Sequence, residues 1–180
     1  MVVRDRTDGD LATRAAGGCA AAFAALVERH YDRIYRVAWR LVGRRAEAED
    51  IAQDVCVKLA SAIRGWRGEA EFTTWLHRIT YNRALDELRS RQRVVALAPS
   101  NVLAMIEAPV EDAIDTVEQR ELWSAVRSLP GQQRDAVLLV YGEDLSHAEA
   151  ARVMGCSEKT VSWHLHEARK RLKAMLEPVD

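Results

Sequence analysis

The chain has 180 residues, with 26 Lys and Arg against 27 Asp and Glu and a net charge of −1 at pH 7. So even a balance excludes a protein that coats nucleic acid indiscriminately, and any nucleic-acid contact must be local. The 48% apolar fraction suits a folded chain, and no apolar run approaches the ~18 residues of a membrane span, so no membrane insertion is expected.

The first residues, MVVRDRTDGDLATRAAGG, mix acids with bases and hold no apolar core. They are no secretory signal, and residues 1–19 are expected to be loose. Three cysteines, Cys19, Cys56 and Cys156, lack C-x-x-C spacing. They are expected to be reduced thiols in a cytosolic protein, with no disulfide framework and no metal site. The cysteines lack electropositive company apart from Cys156 near a helix start, so a thiol sensor is not expected.

Phe23, Leu26, Val27, Tyr31, Ile34, Ala38 and Leu41 recur mostly at steps of three and four, which predicts a helix over Ala20–Val42, ended by Gly43. A second helix over Ala46–Ile63 buries Ile51, Val55, Leu59 and Ala62. It exposes Glu47, Glu49, Asp50, Gln53, Asp54 and Lys58. The segment GWRGEAE (Gly65–Glu71) is a loop, with Thr73 or Thr74 available to cap the next helix.

That third helix, TTWLHRITYNRALDELRSRQR (Thr73–Arg93), has two characters. Phe72, Leu76 and Ile79 lie on one arc and Tyr81, Ala84 and Leu88 further round. Trp75, Arg78, Asn82, Arg89 and Arg93 fall in a band roughly 200–260° from Leu76 at ~100° per residue. An aromatic ring, an amide and three guanidinium groups can grip a phosphate backbone and an unstacked base, or form an ordinary solvated face. Charge is sorted by region: Arg64–Arg93 holds seven arginines against four acids, and Val94–Leu122 one against six.

Val94–Val110, with two prolines and no sustained period, reads as a flexible interdomain linker. From Glu111 the helical pattern resumes through Ile114, Val117, Leu122, Val126 and Leu129 to Pro130–Gly131, and a helix over Gln133–Tyr141 follows. Ser146-His147-Ala148-Glu149 fits a capping box, its helix stops at Gly155, and Ser157 caps EKTVSWHLHEARKRLKAML. Val161, Leu165, Ala168, Leu172 and Met175 form the core stripe of this last helix. Two helices about a glycine turn, the second longer and basic at its end, describe a helix-turn-helix. Trp163 sits about 200° from Val161 and points away from that core. The expected fold is therefore all-α: two small helical domains joined by a flexible linker, the carboxy-terminal one a helix-turn-helix.

DIAQDVCVKL, followed by GEAEFTTWLHRITYNRALDELRSR, resembles region 2 of the extracytoplasmic-function (ECF) sigma factors of the sigma-70 family. LPGQQRDAVLLVYGEDLSHAEAARVMGCSEKTVSWHLHEARKRL resembles their region 4. The resemblance covers Phe23–Leu176 and implies region 2 at residues 20–93, a linker at 94–110 and region 4 at 111–180. It implies a non-enzymatic, cofactor-free subunit that joins core RNA polymerase through its β and β′ subunits, selects promoters and promotes DNA melting. Asp50, Gln53, Asp54 and Lys58 match positions that dock on the polymerase. Trp66, Arg67, Trp75, Arg78, Asn82, Arg89 and Arg93 would bind the −10 element as single strand, Asn82 lining the pocket for an extruded base. Lys159, Thr160, Ser162, Trp163, His166, Glu167 and Lys170 would read duplex at the −35 element. An anti-sigma factor is implied as partner, and Trp163 and the apolar linker offer it surfaces.

Two departures stand out. Cys56 replaces the usual Phe, and the recognition helix has Ser162, His164 and Glu167 where basic residues are frequent. Glutamate can accept from cytosine N4 but cannot read guanine as arginine does, which points to an unusual or weakly read −35 sequence. The extension that some members carry beyond region 4 has no counterpart, so regulation is expected from outside the chain or from its expression. Two other readings stay open at this point: a helix-turn-helix regulator acting on duplex operators without polymerase, and a sigma-like decoy that binds partners but not DNA. His77 and His147 are lone histidines and are expected to be surface or core residues rather than ligands.

Overall fold

The computed structural model describes residues 6–97 and 117–176. The expected linker lies outside the described residues apart from its first four, and so does the helical pattern at 111–116. Among the described residues the fold is all-α. An amino-terminal unit contains α1 (Asp8–Ala16), α2 (Ala20–Val42), α3 (Arg45–Ala62, running into a 3-10 turn Ile63–Gly65) and α4 (Phe72–Leu97). A carboxy-terminal unit contains α5 (Val117–Ser128), α6 (Gly131–Val137, continuing into a π-helical turn Leu138–Gly142), α7 (His147–Met154) and α8 (Glu158–Leu176).

The helix α2 has the bounds its periodicity predicts. Leu26, Ile34, Ala38 and Leu41 are buried on its inner stripe, and Gly43 ends it at φ 71° with its N–H on the Trp39 carbonyl. The left-handed conformation costs glycine little, whereas a Cβ there would strain the turn. Ile51, Val55 and Leu59 bury the matching stripe of α3.

Residues 8–16 are not loose as expected but form α1. Thr7 caps it, accepting from the Asp10 N–H at 3.2 Å, and Asp8 reaches Arg29 at 2.6 Å and His30 at 2.9 Å on α2. Leu11 and Ala12 are fully buried. One leucine among alanines gives too weak a period to read, yet burying it stabilises the helix by about 1.5–3 kcal/mol.

The threonine cap expected for α4 is also absent. The helix begins at Phe72, and the Trp75 N–H bonds the Glu71 carbonyl. Thr74 is buried inside it and donates to Glu149 of α7 at 3.3 Å. In the second unit α6 starts two residues earlier than expected, directly after Pro130, whose fixed φ of −52° suits a helix entrance. The Ser146 capping box is formed, with the Ser146 N–H on Glu149 at 2.9 Å and the Glu149 N–H on the Ser146 hydroxyl at 3.3 Å. Gly155 closes α7 at φ 69°, and the Ser157 hydroxyl accepts from the Thr160 N–H at 3.1 Å. Val161, Leu165 and Ala168 are buried as the stripe predicts, whereas Met175 at its end is exposed.

The two units pack against each other. Arg40 of α2 donates to the Gly142 carbonyl and to Glu143 at 2.7 Å, and its guanidinium lies 4.5 Å from the centre of the Trp123 ring. Arg127 of α5 covers Trp39 at 5.3 Å. Tyr81 of α4 donates to Asp135 of α6 at 2.7 Å, with both residues buried. Burial pushes the Asp135 carboxyl up, against the pull of Arg134 and of the Tyr81 hydroxyl.

Candidate nucleic-acid interface

The loop before α4 and the first turns of that helix form a cavity of about 370 Å³, lined by Trp66, Arg67, Glu69, Ala70, Trp75 and Arg78 among others. Both tryptophans are braced by the buried Phe72, whose ring lies 6.4 Å edge-on from Trp66 and 5.9 Å from Trp75. Trp75 therefore packs on the core with one part of its ring and faces the cavity with another. Gly68 turns the loop at φ 71°, and α1 supports it from below, Gly9 lying against the far edge of the Trp66 ring. Two half-buried indoles with two guanidinium groups at a concave site can stack a base and hold its phosphates.

Of the seven residues that the sequence singles out for −10 DNA, the structure brings four together in this cavity: Trp66, Arg67, Trp75 and Arg78. Asn82 is exposed one turn further along α4 and is not part of the lining. Arg89 and Arg93 are exposed further out on the same helix, Arg89 lying 3.6 Å from Asp86. The edge is thus a cavity at one end and a cationic strip beyond it.

Burial pushes the pKa of His77 on α4 down to about 4, helped by Arg33 and His30. It is a neutral core residue. His147 is exposed, with Nδ1 3.0 Å from the Ser162 hydroxyl, and ties the first helix of the hairpin to the second.

Asp50, Gln53, Asp54 and Lys58 are all exposed on one face of α3. Asp54 is also held by Arg83 of α4 at 2.8 Å. Val57 lies among them with 74% of its surface open, a residue that sequence reasoning passed over. The signal was available: position 57 falls about 200° from Val55 on a helix, away from the buried stripe.

On α8, Lys159, Ser162, Trp163, His166 and Lys170 are exposed, with Trp163 56% open. Thr160 and Glu167 are half-buried, Thr160 on the Ser157 hydroxyl at 2.8 Å and Glu167 3.5 Å from Lys170. His164 is buried beside Val161 and Leu165. It belongs to the core of the hairpin and not to the reading face where the comparison of recognition helices had placed it. Among the described residues no group of His, Cys, Asp or Glu could hold a metal ion, and none of the helices is long and apolar enough to cross a membrane. Cys19, rather than Cys156, is the cysteine with cationic company. The Ala22 backbone N–H and the Arg14 guanidinium, 3.6 Å away, hold its thiol below the usual range, whereas burial pushes Cys56 and Cys156 up.

An all-α pair of units, one with an aromatic cavity beside a cationic helix edge and the other a helix-turn-helix, defines a protein that handles DNA at two places. Residues 26–94 match the family model for sigma-70 region 2, and residues 119–172 the model for sigma-70 region 4. The chain is 34% identical over 174 residues to the ECF RNA polymerase sigma factor SigM of Mycobacterium tuberculosis, covering 96% of this chain and 86% of that protein. It is 35% identical over 155 residues to SigE of Mycolicibacterium smegmatis, spanning 84% of this chain but 60% of that longer protein. The solved structure of CnrH in complex with the cytosolic domain of CnrY superposes with a TM-score of 0.72 at 27% identity, covering 94% of this chain and 96% of that one. The chain belongs to the ECF sigma factors of the sigma-70 family, initiation factors that carry core RNA polymerase to promoters.

Proposed function

We propose that the cavity at Trp66, Arg67, Trp75 and Arg78 takes a base extruded from the −10 strand, and that the chain opens promoters by trapping it there. The observation that carries this reading is the pair of indoles braced on Phe72 around a space of about 370 Å³. Extruding a base costs a few kcal/mol of stacking and pairing. Stacking on aromatic rings returns about 1–3 kcal/mol per base, and the remainder must come from hydrogen bonds and phosphate contacts. Arg78, Arg89 and Arg93 follow the helix edge along which the strand would run, and Asn82 stands between Arg78 and Arg89 as an amide for a base edge.

Residues 20–93 and 111–180 are the two working domains in this reading. The α3 face of Asp50, Gln53, Asp54 and Lys58, with Val57 at its centre, docks on core polymerase. Helix α8 reads the −35 duplex with Lys159, Thr160, Ser162, Trp163, His166, Glu167 and Lys170. The subunit performs no catalysis, works in the cytoplasm and is held by an anti-sigma factor, in keeping with CnrH having been solved with a protein partner bound.

A regulator confined to duplex operators would have no use for a cavity of this shape. Run-off transcription with purified core polymerase on genomic templates tests the proposal. A promoter-dependent transcript that disappears with Trp75→Ala or Asn82→Ala supports it, and transcription indifferent to both changes rules it out.

A further inference from the structure

Glu69 also lines the cavity at Trp66 and Trp75, and neither the stacking nor the phosphate contacts proposed there use it. It is exposed and makes no hydrogen bond or ion pair with another described residue. Arg67 and Arg78 line the same space. A carboxylate at a surface that takes a polyanion repels it, so Glu69 would weaken strand binding unless the bound base supplies donors to it.

An ionised glutamate is an acceptor only, with two oxygens side by side. A base taken out of its stack exposes its Watson–Crick edge, and the four bases differ there. Guanine presents two neighbouring donors, N1–H and the N2 amino group, which match a carboxylate bidentately. Adenine and cytosine present one amino group beside the lone pair of a ring nitrogen, and thymine presents one N3–H between two carbonyls. In each of those three the second carboxylate oxygen would meet a lone pair. Guanine also offers O6 and N7 on its other edge, where a guanidinium binds bidentately, and Arg67 or Arg78 can supply it. A volume of about 370 Å³ is large enough for a bicyclic base. We propose that the base taken into this cavity is guanine, with the Glu69 carboxylate accepting from N1–H and the N2 amino group and a guanidinium donating to O6 and N7. Guanine selection presupposes that the cavity is the seat of the extruded base, and adds which base is taken.

Fluorescence anisotropy tests this with holoenzyme assembled from core polymerase and the full chain, corrected for core polymerase alone. The probes are labelled oligothymidylates that carry guanine, adenine, cytosine or thymine at one central position. The guanine strand should bind about tenfold more tightly than the other three, the discrimination expected of one bidentate pair. Glu69→Gln alters an exposed loop side chain and leaves one acceptor and one donor in place of two acceptors. It should weaken the guanine strand about tenfold and make the adenine strand the tightest, because an amide pairs bidentately with adenine. Trp75→Ala should weaken all four strands by removing a stacking platform. A tightest strand other than guanine, equal affinity for all four, or an order of preference that Glu69→Gln leaves unchanged overturns guanine selection. If Trp75→Ala still weakens every strand in that event, the cavity remains a base site, whereas indifference to Trp75→Ala removes that reading too.

Discussion

The two surfaces proposed to face DNA are built on opposite plans. In the amino-terminal unit the candidate surface is concave, with indoles braced on a buried phenylalanine and arginines at the rim. In the carboxy-terminal unit it is the convex flank of α8, where lysines, a glutamate, a histidine and a tryptophan alternate. A concave aromatic site suits a base removed from its stack, whereas a convex helix suits a groove that stays intact. The difference teaches where salt should matter. Stacking is insensitive to it, while phosphate contacts release counterions and weaken steeply as salt rises.

Acid offers the largest effect and should fall on the amino-terminal unit. His77 is buried and its pKa is pushed down to about 4. The folded state therefore binds fewer protons than the unfolded chain between pH 6.5 and 4. Stability is full above pH 6.5 and falls as pH drops through that window, by roughly 3 kcal/mol once pH 4 is reached. Urea unfolding at pH 7 and pH 4.5 measures it, and His77→Gln should flatten the dependence.

Next in size is Trp75→Ala, which removes one stacking platform worth about 1–3 kcal/mol. Affinity for a single-stranded −10 oligonucleotide should fall about 5- to 150-fold while duplex −35 binding is unchanged, as fluorescence anisotropy would report. Trp75→Phe keeps the packing on Phe72 and should recover most of the loss. Ser146→Ala removes one half of the capping box and should cost about 1 kcal/mol, seen as a lower Tm with the −10 oligonucleotide still bound. The smallest effect belongs to Lys170→Ala. It should weaken every duplex sequence alike and reduce the slope of log affinity against log salt by about 0.9.

Long periodic stretches carried most of the fold. The bounds of α2, the capping box at Ser146 and the left-handed Gly155 follow from local spacing and glycine geometry, and all three stand in the structure. Features that depend on tertiary partners were illegible. Helix α1 rests on Asp8 reaching across to Arg29 and His30. The start of α4 depends on the Glu71 carbonyl, because Thr74 is committed to Glu149.

Part of the proposed −10 site was legible as a helical band, since 3.6-residue periodicity places Trp75, Arg78 and Asn82 on one edge. Periodicity says nothing about where a loop folds back. That is why Trp66 and Arg67 joining the cavity, and Asn82 remaining outside its lining, became visible only in three dimensions. His164 shows the converse failure: a comparison of recognition helices suggested a reading residue, but a position three from Val161 and one from Leu165 faces the core.

The most direct test is permanganate reactivity of thymines around the −10 element of a cognate promoter, with core polymerase and the purified chain. Reactive thymines with the native chain, lost with Trp75→Ala while polymerase and duplex binding persist, are the predicted result. An open bubble of unchanged extent in that variant would contradict the account.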